Sequence, residues 1–250
     1  MNTETIYTNQ NYSTYGFPGT IFWGVVISIA CIITQVIAVA VYIGVTHSGV
    51  EASEYESLLS DIQFNGTLIS IATFAGLLVG GGMIIAAIKF KRGSNIRHYL
   101  ALNSVSMREL KYWALVAAAF VVCSDSLTYF LDKPLVPEFM SSVYSSAESK
   151  WLLWVAIVVA APLFEELFFR GFIISGLSSS FVGPIGAILI SSISWAAIHL
   201  QYDMYGIATI FALGLILGAA RLKTGSVVLT IVLHSCVNLI ATIQAAYYVP

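Results

Sequence analysis

Seven stretches of this sequence are long and apolar enough to cross a bilayer, and no other feature limits the fold so much. A spanning helix needs about 20 predominantly apolar residues. Such runs lie at about 20–46, 66–89, 112–131, 151–176, 182–200, 204–221 and 225–247. The run at 204–221 is short, so the count of seven is most open to revision there. Composition agrees with the runs: 58% of residues are hydrophobic and 10% are charged, against about 25% charged in soluble domains. Too few polar side chains remain to coat a soluble fold. The expected class is an all-α, polytopic membrane helical bundle of about seven transmembrane helices. The first run has no basic segment before it and is too long for a signal-peptide core. Residues 1–19 read as a polar tail, and 20–250 as a single bundle without internal repeats.

Loop charges set the expected orientation. With the amino terminus cytoplasmic, eight Lys and Arg share the cytoplasmic side: six between Lys89 and Lys111, then Arg221 and Lys223. Only Lys133 and Lys150 fall on the other side, together with the segment 47–64, which has four acids and no base. This asymmetry predicts amino terminus in and carboxyl terminus out. The pairs Gly76/Gly80 and Gly214/Gly218 have the spacing that lets helices approach closely. The segment 134–150 reads as an interfacial helix or a lid. The cysteines, Cys31, Cys123 and Cys236, have neither metal-type nor disulfide-type spacing and read as small buried hydrophobes. No basic stripe suggests nucleic acid.

Against this apolar background the stretch APLFEELFFRGF, residues 161–172, carries Glu165, Glu166 and Arg170. Ionisable groups at membrane depth are costly and default to a functional reading. Glu166 and Arg170 stand at i and i+4 and can pair, which leaves Glu165 without a partner in its own helix. Two later helices add polar groups at the same spacing, Trp195/His199 and His234/Asn238. Ser180 to Pro184 forms a turn signal whose centre is midway between Glu165 and His199. An antiparallel hairpin would therefore bring those two to matching height, about 25 Å from the turn. His234 and Asn238 follow a turn near Gly225 and reach about 14 and 20 Å, so one intramembrane pocket can hold all four.

A buried carboxylate can serve as a general base, a neighbouring imidazole can help deprotonate water, and amide or imidazole N–H groups can stabilise an oxyanion. The set fits water attack on an amide. Two histidines and a glutamate are also zinc-type ligands. HExxH is absent and the histidines sit on different helices, but neither fact forbids ligation.

EELFFRG, WAAIH and HSCVN, in this order, resemble the EExxxR, FxxxH and HxxxN motifs of the CPBP family, the CaaX-protease and bacteriocin-processing membrane endopeptidases. The likeness covers about 110–245. It implies a glutamate-dependent intramembrane endopeptidase. No metal or other cofactor is expected, because one of the two carboxylates is already paired with Arg170. Glu165 and His199 would activate water, His234 and Asn238 would form the oxyanion hole, and Glu166 and Arg170 would support them. Trp195 replaces the usual Phe, a change expected to act mainly on packing. The implied partners are a peptide or lipidated protein substrate and membrane lipids, in what reads as a prokaryotic cytoplasmic membrane. The oligomeric state is left open. Two other classes stand beside this one. One is a non-catalytic immunity or scaffold protein of the same fold. The other is a small transporter using the Glu/His/Arg set as a relay, although transporters often carry internal repeats.

Overall fold

The computed structural model describes residues 13–46 and 61–249. The first 12 residues of the tail and residues 47–60 of the acidic segment lie outside the described residues. The described chain is helical, with no strand. In order it forms α1 (Phe17–Thr46), α2 (Gly66–Phe90), α3 (Ile96–Tyr99), α4 (Met107–Phe130), α5 (Glu138–Ser146), α6 (Lys150–Ser178), α7 (Gly183–Ala197), α8 (Met204–Thr224) and α9 (Val227–Tyr248). Six of these are long and apolar enough to cross a membrane, as an integral membrane protein requires, and α7 is a shorter apolar helix. About seven spans is therefore the architecture. The short member is α7, with 15 residues, and not α8, which runs for 21.

Local chemistry explains where the helices begin and end. Asp203 and Ser226 accept from the third backbone N–H of α8 and α9, satisfying donors that a helix start leaves open. Gly225 closes α8 in the left-handed region, at φ 64°, where a side chain would be strained. Gly183 does the same at the turn into α7, at φ 63°.

Consecutive helices alternate in direction, so the bundle has two chemically different ends. At one end the turns after α2, α6 and α8 lie together. There Val227 donates to the Ala101 carbonyl at 3.0 Å, and the hydroxyls of Thr14 and Ser179 are 2.7 Å apart. This end carries the basic loops. One of the eight cations behaves differently: Arg221 is 4% exposed and donates to the Arg170 carbonyl and to Ser175. The other seven lie in the loops or at the helix ends of this side, and none of them is buried. At the other end Lys133 pairs with Asp203 at 2.6 Å. The Lys150 ammonium donates to carbonyls at the end of α5, among them Ala147 at 3.0 Å.

The main core gathers around the second half of α6, where Phe168, Phe169, Phe172 and Leu177 meet Leu217 and Leu229. A much smaller cluster, Val143, Ala147 and Leu153, joins α5 to the start of α6 at the opposite end. The glycine pair on α8 is a true contact surface. A Cβ on Gly214 would sit 3.0 Å from Ser192, and one on Gly218 would sit 2.8 Å from Ile188. On α2 only Gly80 is so placed, against Phe164 and Cys31, while Gly76 faces open space.

Candidate active site

The helix that bears the two glutamates is not a regular α-helix. It widens into π-helix at Ala156–Ala160 and again at Glu166–Ile173, a form that occurs mostly as short bulges at functional sites. In lipid every backbone polar group must find a partner inside the protein, and here side chains from three other helices supply them. Ala161 donates to Ala156 five residues back. The next donor in that pattern would be residue 162, but Pro162 has no N–H. The Ile157 carbonyl is thus left over, and the Asn238 side-chain amide donates to it at 2.9 Å. In the second π stretch, Ser191 donates to the Phe169 carbonyl at 3.2 Å and Arg221 to that of Arg170 at 3.1 Å.

Glu166, Arg170 and His234 form one buried charged network. Glu166 and Arg170 are fully buried and His234 is 3% exposed. Glu166 Oε1 accepts from Arg170 Nη1 at 2.9 Å and lies 3.0 Å from His234 Nδ1. The i,i+4 pair expected from the sequence is present. The histidine from α9 joins it through Nδ1. With Nδ1–H directed at a carboxylate, His234 offers a donor through Nε2 only in its doubly protonated form.

Glu165 points elsewhere, to Trp195. The indole Nε1–H donates to Glu165 Oε2 at 2.5 Å. The Trp195 backbone carbonyl in turn lies 2.7 Å from His199 Nδ1. A carbonyl only accepts, so Nδ1 carries the proton and neutral His199 keeps its Nε2 lone pair free for a substrate or water. Among the described residues no direct hydrogen bond joins Glu165 to His199; Trp195 holds both. Its ring also takes the Arg170 guanidinium at 4.2 Å and packs edge-on against His199 and His234. Beyond the packing expected of an aromatic at this position, Trp195 thus makes a contact that Phe could not, since a phenyl ring has no N–H to give. Glu165 meets α7 one turn nearer the Ser180 turn than His199. The physical reason is the π stretch between Glu165 and that turn: it winds more residues into each turn than an α-helix, which shortens the arm on that side.

Tyr202, in the loop after α7, lies beside His199. It stacks on His199, with ring centroids 6.3 Å apart, and Phe139 of α5 meets it edge-on at 5.7 Å. Burial, with the nearby Glu165 carboxylate adding to it, pushes its phenol up to about 12, so its O–H remains a donor across the physiological range. Sequence reasoning passed over Tyr202, Ser191 and the structural role of Arg221. No spacing rule marks them, because each acts across helices. Among the described residues no three His, Cys, Asp or Glu converge as a ligand set for a metal. Arg170 and His234 occupy Glu166, and Trp195 separates the remaining carboxylate from both histidines.

Residues 147–240 match the family model described as type II CAAX prenyl endopeptidase Rce1-like. An uncharacterized 24.3 kDa protein of Escherichia coli is 34% identical over 130 residues, covering 49% of this chain and 58% of that protein. The chain thus spans somewhat more than half the length of that curated relative. No solved structure matches it.

Proposed function

We propose, from the match of residues 147–240 to the Rce1-like family model, that this chain is an intramembrane endopeptidase. It hydrolyses a peptide bond of a membrane-associated peptide or lipidated protein by activated water. Glu165 is the general base. The free Nε2 of His199 shares the water proton and returns it to the leaving amine. Attack on the scissile carbonyl generates a tetrahedral oxyanion. The second N–H of the Asn238 amide, and Nε2–H of protonated His234, are the donors that stabilise it. Glu166 and Arg170 fix His234 and the face of Trp195. The observation that carries this reading is the double use of Trp195. One residue holds a carboxylate through its side chain and an imidazole through its backbone, so that both candidate groups are fixed to the same point of α7.

The basic loops support a membrane orientation with the amino terminus cytoplasmic. A scaffold protein of the same fold would bind its partner without needing the Glu165 carboxylate. Purified protein in detergent, incubated with a peptide library beside its Glu165→Gln variant, tests the reading. Cleavage by the parent and none by the variant supports an enzyme. Equal behaviour of the two would remove the catalytic assignment.

A further inference from the structure

The two ends of the bundle differ in how they enclose the site. Along α6, every residue from Glu166 to Leu177 is buried except Leu167 and Ser175. In the nine residues that end at Glu165, only Ala160 and Pro162 are buried. The change falls at the candidate base itself.

On the buried side the chain builds a plug. Tyr99, Leu100 and Ala101, each at most 5% exposed, tuck under α6. Tyr99 stacks on Phe172 at 5.4 Å, and Leu100 fills the space at Gly171, where a Cβ would stand 3.0 Å from it. The Asn103 amide donates to the Gly225 carbonyl at 2.9 Å and the Ser226 hydroxyl to the Asn103 carbonyl. These bonds fasten the plug to the start of α9. This is the end of the bundle that bears the basic loops.

On the other side lie groups that are only partly buried: Glu165, His199, Asn238 and Tyr202. His199 stands 16 residues after the start of α7, about 24 Å from the basic end. Among the described residues, those beyond it include the loop 198–203, the segment whose Lys133 pairs with Asp203, and α5, which is held by the small Val143 cluster.

We infer that the site receives its substrate from the end opposite the basic loops, so that the substrate is a polypeptide segment presented on the non-cytoplasmic face of the membrane. This rests on the endopeptidase reading for what happens to the substrate, and on the basic-loop asymmetry for which face it comes from. A chain approaching from the cytoplasm would have to displace the Tyr99–Leu100–Phe172 packing to reach Glu165. Among the described residues, a segment emerging on the outer face meets Tyr202 and Phe139 next to His199. Exported peptides and the outer ends of membrane-inserted segments have this presentation, and soluble cytoplasmic chains do not.

Sealed right-side-out and inside-out vesicles from cells making the full chain, given a membrane-impermeant fluorogenic peptide library, separate the two routes. Cleavage by right-side-out vesicles, and its loss in inside-out vesicles until detergent is added, is expected. The reverse pattern overturns the inference. If the parent protein cleaves nothing even in detergent, the endopeptidase reading fails, and access is then decided without it. For that, Glu165→Cys and Gln201→Cys are made in a chain with Cys31, Cys123 and Cys236 replaced by Ala, and treated with a charged, impermeant thiosulfonate. Modification of both from the outer face upholds the inference. Modification of either only from the cytoplasmic face sinks it.

Discussion

The indole N–H of Trp195 donates to the Glu165 carboxylate at 2.5 Å across the contact of α6 and α7. A hydrogen bond to a charged group is worth about 1.5–3 kcal/mol. If it is used to aim the base, Trp195→Phe lowers the turnover of peptide cleavage by roughly 10- to 100-fold. KM should change little and the protein should fold, because the ring's bulk is kept. Turnover and KM for a cleaved peptide, with a melting curve, check this. Wild-type turnover in the variant would reduce Trp195 to a packing residue.

The adjacent glutamates should differ in kind. Glu165→Gln retains shape and removes the base, so cleavage falls by about 10²-fold or more. His199→Ala falls comparably, and the double variant is little worse than either, because both groups act on one water. Glu166→Gln instead strands Arg170 and His234 in a fully buried site, where breaking one partner of a charge network costs about 3–5 kcal/mol. Its effect appears as lost yield and melting temperature. Activity per folded molecule across the four variants is the measurement. A stable but inactive Glu166→Gln beside an active Glu165→Gln would reverse the assignment.

Asn238 has a structural duty and a proposed chemical one, and Pro162 allows them to be separated. Asn238→Ala leaves the Ile157 carbonyl without its donor, at a cost of about 1–3 kcal/mol. It also loses one oxyanion donor, worth roughly 10²–10³ in turnover. Pro162→Ala restores a backbone N–H at the position that can reach Ile157. The double variant should regain much of the lost stability and none of the lost cleavage. Recovery of both together would show that Asn238 acts only through the helix.

Cleavage is expected to persist in excess chelator. The buried carboxylate is already engaged by Arg170 and His234, which leaves too few anionic ligands for a firm zinc site. Stoichiometric zinc in the purified protein, with activity lost on chelation and restored by zinc, would return the metalloprotease reading.

Much of this molecule was legible because lipid imposes a simple rule: a spanning helix must be about 20 apolar residues long. Helix number, the turns at Gly183 and Gly225, and the pairing of Glu166 with Arg170 all follow from length, turn chemistry and 3.6-residue spacing. What escaped depends on contacts between helices. The π stretches have no compositional signature, although Pro162 marks where one leaves a carbonyl unpaired. Trp195 looked like a conservative aromatic replacement because sequence shows ring size and not the direction of an N–H. Arg221 looked like one more loop cation because a position near a helix end does not tell whether the side chain turns inward.

The 15 residues of α7 span about 22 Å, some 8 Å less than a hydrocarbon core of about 30 Å. Its outward residues Ile185, Leu189 and Ile193 are exposed, so lipid must conform to a helix too short for it. Bilayers meet such a mismatch by thinning locally, which lowers headgroups and their hydration water toward the end of α7, where His199 stands. Hydrolysis consumes one water per bond broken, and hydrocarbon holds almost none. If the proposed hydrolysis takes place there, the missing turns of this one helix would bring its second substrate, water, within reach, and the rate would follow the thickness of the surrounding membrane.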